Sequence, residues 1–253
     1  VPISGQVQGW HKYIEFGNRM LTGVLIVVAI AALVAVWWHK PKRKVLLWLA
    51  VVPLLGTFAQ AVLGGITVRT HLNPWTVSAH FLVSIAIVYA SVVLQMRGDE
   101  DGDGPIRLTV HPIVRTASWA LLAIGGLVVV LGVVTTGSGP HAGDKVAARF
   151  GFDQRIVAWF HADVVLFFLG LLIGVVISLY VTNAPDIVKR RAGYIVIIAI
   201  AQGTIGYTQW FTGLPEALVA MHVAGAGLLW VFLVRYVLTT RTRDAALEPV
   251  AVQ

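Results

Sequence analysis

Apolar residues along this chain come in long unbroken blocks, with polar residues gathered between them. Seven blocks stand out, at about 20–38, 45–68, 75–96, 112–136, 155–181, 193–211 and 217–238. A helix needs ~20 apolar residues to cross the hydrocarbon core of a bilayer. Blocks this long are not buried strands, and the alternation that a transmembrane barrel requires is missing. The pattern predicts an all-α membrane protein with seven transmembrane helices.

Composition agrees: 57% of the 253 residues are hydrophobic and 12% charged, and the mean hydropathy is +0.80. A soluble domain of this size needs more polar surface than that. The net charge of +7 raises nucleic acid as a partner, but the placement of the charge speaks against it and for lipid. Short cytoplasmic loops collect Lys and Arg. The first connection, His39-Lys40-Pro41-Lys42-Arg43-Lys44, is strongly basic; Arg97 and Arg107 flank the third, Lys189-Arg190-Arg191 lie in the fifth, and Arg241 and Arg243 in the tail. All fall on one side. Lys145, Arg149 and Arg155 in the long fourth connection run against the trend without reversing it. The expected placement is a multi-pass protein of the cell membrane, N-terminus outside and C-terminus cytoplasmic. The chain has no cysteine, which leaves redox chemistry to a cofactor held by other ligands.

The most polar segment, Arg97-Gly98-Asp99-Glu100-Asp101-Gly102-Asp103-Gly104-Pro105, reads as a flexible, solvated linker and lacks the closing glutamate of a calcium loop. It divides the chain into an N-terminal half-bundle (1–97), a cytoplasmic linker (98–110), a C-terminal four-helix half (111–243) and a tail (244–253). The halves resemble each other. Gln60, Gly64, Leu72 and His80 recur as Gln202, Gly206, Leu214 and His222, each 142 residues later, and Asn18 aligns with His161 at 143. The expectation is a parallel pseudo-repeat of three helices and four. A symmetric ancestor has eight, so a further helix is expected before Val1, where the chain starts without a methionine.

Three histidines fall at one depth. His80, His161 and His222 lie about five or six residues into the third, fifth and seventh blocks, ~8–9 Å below the outer boundary at 1.5 Å per residue. Ionisable groups at membrane depth usually face the bundle interior and serve function, although a lone histidine also serves to bond a neighbouring helix. Neutral imidazole is a common axial ligand of heme iron, and two ligands on neighbouring helices clamp a heme edge-on. His161 and His222 make such a pair. A bare copper or zinc ion calls for further carboxylate or thiolate ligands, so heme is favoured. His39 belongs to the basic loop, His11, His71 and His141 to outer segments, and His111 to the inner mouth of the fourth block. Glu15 shares a helix face with Asn18 and Arg19 if the first helix begins early. It reads either as a proton-handling carboxylate beside a cofactor or as a helix-start glutamate. Gln60 and Gln202 read as helix-joining residues.

These residues resemble the heme A synthases of bacteria and mitochondria. The resemblance covers essentially the whole chain. It is carried by Tyr13-Ile14-Glu15-Phe16-Gly17-Asn18-Arg19, by Thr136-Gly137-Ser138-Gly139-Pro140-His141-Ala142-Gly143-Asp144, and by Val77-Ser78-Ala79-His80, Trp159-Phe160-His161 and Ala220-Met221-His222. It implies an actinobacterial-like member of an eight-helix family, here without the first helix, that oxidises the position-8 methyl group of heme O to a formyl group for terminal oxidases. It further implies a resident heme b on His161 and His222, substrate heme O in the N-terminal half with His80 as ligand, Glu15 as the catalytic carboxylate, and dealings with heme O synthase and an electron donor. Two departures are visible. The family usually has histidine where this chain has Asn18, which leaves either an open iron position there or one filled by water or another side chain. The segment that often bears a cysteine pair precedes this chain's start.

Other functions are weighed against this one. A non-enzymatic b-type cytochrome carrying electrons is the alternative, but a transmembrane carrier normally has ligands near both faces, and these lie near one. A transporter built on parallel repeats would use the histidines as proton relays.

Overall fold

A computed structural model of the protein describes residues 8–140 and 147–243, with side chains described from Phe16 onward. Seven long helices run α1 (Gln8–Trp38), α2 (Lys44–Arg69), α3 (Pro74–Gly98), α4 (Pro112–Ser138), α5 (Gln154–Val181), α6 (Asp186–Phe211) and α7 (Glu216–Thr239). Two short strands, β1 (Ile106–Leu108) and β2 (Arg241–Arg243), pair antiparallel.

Helix starts follow local chemistry. Asn73 caps α3 by accepting from the Trp75 N–H, with Pro74 in the first position, and Asp153 caps α5 through Ile156. Proline at the first position supplies a preset φ and lacks the N–H that would go unpaired there. His111 accepts from the Ile113 N–H and caps α4, which gives this histidine a structural role. Six helices are long and apolar enough to cross a membrane; α6 is not. Lys189, Arg190 and Arg191 open it, and Gln202, Thr204, Thr208 and Gln209 interrupt its apolar stretch.

Helices α4, α5, α6 and α7 close into a ring in which each packs on two of the others. In the N-terminal half α2 packs on α1 and α3, and α3 joins the ring through α7 and α4. The indole N–H of Trp230 on α7 donates to the Ile85 carbonyl of α3 at 3.1 Å. The turns α2–α3 and α6–α7 share one geometry. His71 and Leu72 take left-handed φ of 53° and 57°, Gly213 and Leu214 take 79° and 60°. Leu72 then bonds back to Thr67, and Leu214 to Gln209.

The tight core fills one end of the ring. It includes Val114, Leu121 and Leu122 of α4, Phe168, Leu172, Val175 and Leu179 of α5, Val188, Ala192, Ile195 and Ala199 of α6, and Leu233, Val234 and Tyr236 to Leu238 of α7. In α5 and α6 spacings of three and four place these on single helix faces, whereas the end of α7 is buried on nearly all sides. Within it, the Ser118 and Tyr236 hydroxyls lie 2.7 Å apart with both residues fully buried. Toward the other end no described residue of α5 before Phe168, of α6 after Ala199 or of α7 before Leu233 is buried.

The acidic linker is not a solvated tether. Arg97 is 5% exposed and pairs with both Glu100 and Asp103. Arg43, from the first basic loop, donates to Asp103 at 2.8 Å and to the Glu100 and Gly102 carbonyls at 3.0 Å. Arg243 donates to the Gly104 carbonyl. Buried guanidinium groups need this many acceptors, and the linker supplies them. The first and third connections and the tail thus gather at one end of the molecule.

Candidate cofactor site

His80 stands six residues beyond the start of α3, His161 seven beyond that of α5 and His222 six beyond that of α7. These helices run the same way, so the three imidazoles lie at one level, ~9–11 Å along their helices. That level is at the loosely packed end of the bundle, away from the core and the basic network. All three are half-buried.

His161 and His222 project from α5 and α7 near enough for charges on their rings to interact. The Nδ1 atoms of His80, His161 and His222 are buried and have no hydrogen-bond partner. Buried polar atoms in native proteins are nearly always bonded, so the same orphan atom on three histidines at one level marks a candidate site. The peptide group of Val128 lies beside the His161 ring and that of Gln202 beside the His222 ring. Neither Nδ1 closes a hydrogen bond of ordinary geometry.

Among the described residues no three His, Asp or Glu side chains gather as a metal cage. Two imidazoles suit a group that brings its own in-plane ligands and asks the protein only for axial ones, which is what iron porphyrin does. Three orphaned ring nitrogens at one depth, beside a bundle end with little buried side-chain volume, fit that group.

Other sequence-selected residues distribute as follows. Gln60 joins α2 to α3, donating to the His80 carbonyl at 2.7 Å and to Ser84 at 2.6 Å. The Gln202 amide instead lies against Gly225 of α7, where an added Cβ would stand 1.8 Å from its nitrogen. Asn18 is exposed, and its carbonyl accepts from the Thr22 hydroxyl. The α1 helix begins at Gln8, so Glu15 lies within it, but its side chain falls outside the described residues, as do that of His11 and the whole of His141. His39 and His71 are exposed.

The loop after α4 explains Gly137 in the last turn of that helix. Phe150 lies over Gly137, where a Cβ would come within 2.3 Å of the ring, and bonds to the Gly137 carbonyl. The same ring meets Trp75 of α3 edge-on at 4.7 Å. The sequence reading missed one further group, the glycines facing the histidines. Their signal was present: Gly64 and Gly206 each precede a histidine by sixteen residues.

A family model described as "Cytochrome oxidase assembly protein" matches residues 3–234. Curated relatives named heme A synthase, from Listeria welshimeri, Listeria monocytogenes and Listeria innocua, are each 36% identical over 84 residues, or 33% of this chain. The match spans 27% of each relative's length.

Proposed function

The chain belongs to the cytochrome oxidase assembly protein family, and from that membership we propose that it is a heme A synthase, converting the position-8 methyl group of heme O to a formyl group. The observation that carries this reading is the set of three imidazoles at one level, each with a buried, unpartnered Nδ1. The relatives' names point to the same activity.

His161 and His222 would hold a resident heme b between α5 and α7, and His80 would bind the heme O substrate against α2 and α3. A heme held there supplies a one-electron redox centre close to the membrane surface. The chain's own residues do the rest. The ring of α4 to α7 fixes the two histidine helices by its core, so their imidazoles are pre-oriented. Phe150 after α4 and Trp75 of α3 meet edge-on and so join the two halves at that end. Taking the methyl carbon to a formyl group removes four electrons and adds one oxygen atom, from water with an electron acceptor or from dioxygen as oxidant, and Glu15 is the carboxylate that would exchange the protons of that step. Asn18 is exposed, so His80 would be the substrate heme's protein ligand by itself, which suits a substrate that must leave after reaction. Heme O synthase, as the source of the substrate, and an electron donor are the partners proposed with it.

Architecture and placement belong to the same reading. Equal lengths of 26 residues for α2 and α6, together with the matching left-handed turns, support a pseudo-repeat of three helices and four. The basic connections gathered at the end away from the histidines support a cytoplasmic C-terminus and an outer histidine end in the cell membrane.

Pigment extraction tests the proposal. Cells producing this chain together with heme O synthase should accumulate heme A, and His80→Ala or Glu15→Ala should suppress it. His161→Ala and His222→Ala should remove a low-spin heme b signal. Absence of heme A with the unaltered chain, in the presence of heme O, would overturn the activity.

A further inference from the structure

Each of the three histidines faces a glycine on the helix that precedes its own. Gly64 on α2 faces His80, Gly132 on α4 faces His161, and Gly206 on α6 faces His222. In each case the atom nearest to an added Cβ is the imidazole Cε1, at 3.5, 3.3 and 3.2 Å respectively. At Gly132 and Gly206 the two ring nitrogens follow at 3.8 and 3.9 Å, so the tip of the ring points at the helix backbone. This is no general consequence of a glycine-rich chain. Gly170 and Gly174 on α5 and Gly193 on α6 would meet nothing within 4 Å.

The peptide groups beside the two rings belong to Val128 and Gln202, each four residues before its glycine. That spacing is one helical turn, so a side chain at the glycine would lie over the same stretch of backbone. A histidine that ligates a metal donates its other ring N–H to a carbonyl or carboxylate, which fixes the tautomer and the ring plane. No described residue bonds the Nδ1 atoms in ordinary hydrogen-bond geometry, and these peptides are the groups beside the rings.

We infer that Gly132 and Gly206 are positioning residues: lacking a Cβ, they let His161 and His222 lie against the backbone of α4 and α6, with Nδ1 directed to the Val128 and Gln202 carbonyls and Nε2 left for iron. This rests on the reading of His161 and His222 as heme ligands. Gly64 repeats the arrangement for His80 with an ordinary contact distance, and an alanine fits there. At Gly132 and Gly206 the rings must give by a few tenths of an ångström to admit a methyl group.

The test uses the full chain purified from membranes, with heme content, the electron paramagnetic resonance spectrum of the oxidised heme, and the rate of heme loss to apomyoglobin as readouts. Gly132→Ala and Gly206→Ala should each shift the low-spin signal and speed heme loss by roughly 10-fold or more, the size expected when an outer-sphere partner of a ligand is disturbed. Gly174→Ala and Gly193→Ala, and to a close approximation Gly64→Ala, should leave that signal and rate unchanged. If the unaltered chain holds no low-spin heme, or His222→Ala keeps it, the ligand assignment fails. If His222→Ala loses the signal while Gly132→Ala and Gly206→Ala both match the unaltered chain in spectrum and rate, the positioning role is overturned. The two glycine variants act on opposite axial ligands, so either one that folds, shown by a single chromatographic peak, decides the matter.

Discussion

Asp103 shows how one residue changes meaning between sequence and structure. In the sequence it is one of four carboxylates in a glycine-rich stretch, and nothing local marks it as bonded. Its partner Arg43 lies sixty residues away, a separation that no spacing rule reaches. The Arg43 hydrogen bonds hold the Asp103 carboxyl below its ordinary range, partial burial opposes them, and the charges of Arg43, Arg97 and Arg243 add to the lowering. A carboxyl whose folded value is depressed contributes stability that is complete above the unfolded value of ~3.9 and is lost as pH falls through the folded one. The side chain is 31% exposed, so solvent screening keeps the contribution modest. Acidification from about pH 6 to about pH 3 should therefore lower the melting temperature of the unaltered chain more than that of Asp103→Asn. Differential scanning fluorimetry in detergent reads this, and parallel curves would detach Asp103 from acid stability.

At the scale of elements, the apolar blocks located all seven helices, because a bilayer-spanning helix must be apolar along its length and its ends are written in local residues such as Asn73-Pro74 and Asp153. The start of α1 was displaced for a physical reason. Hydropathy marks where a helix is apolar, whereas backbone hydrogen bonding carries α1 back to Gln8, through polar residues that no apolar window includes. Likewise α6 forms a full helix while its polar residues keep it below the hydropathy of the other six. The histidine level was legible because helical rise converts sequence position into depth. Of the glycines opposite them only the shared spacing of Gly64 to His80 and Gly206 to His222 was legible; that they face the imidazoles is a tertiary fact of pairing across a hairpin. Close helix contact has the same origin at Gly125 of α4, where a Cβ would stand 2.5 Å from Leu233 and 3.4 Å from Phe168, both buried. Gly125→Ala should lower stability by about 1–3 kcal/mol through overpacking. Gly174→Ala, with open space around it, should be neutral or gain up to about 1 kcal/mol from helix propensity. Thermal unfolding of the two variants side by side measures the contrast, and equal effects would refute the α4–α7 contact as the cause.

Across the whole molecule, stability and proposed chemistry occupy opposite ends of one bundle. The core from Val114 to Leu238 and the Arg43–Arg97–Asp103 network hold the end where the basic connections meet. The histidine end has few buried side chains of its own, and close packing is the normal condition of a protein interior. A cofactor that fills such an end stabilises the folded state there by mass action, while the far core depends on it little. Local opening should follow the same division. Hydrogen–deuterium exchange on the heme-loaded chain and on the chain stripped of heme should differ most in 154–167, 200–211 and 216–232, the stretches without buried residues. The stretches 168–179, 188–199 and 233–238, which carry the core, should exchange alike in both. Uniform change along all three helices would mean that the bundle folds as one unit around bound heme, and the division of labour between its ends would then be wrong.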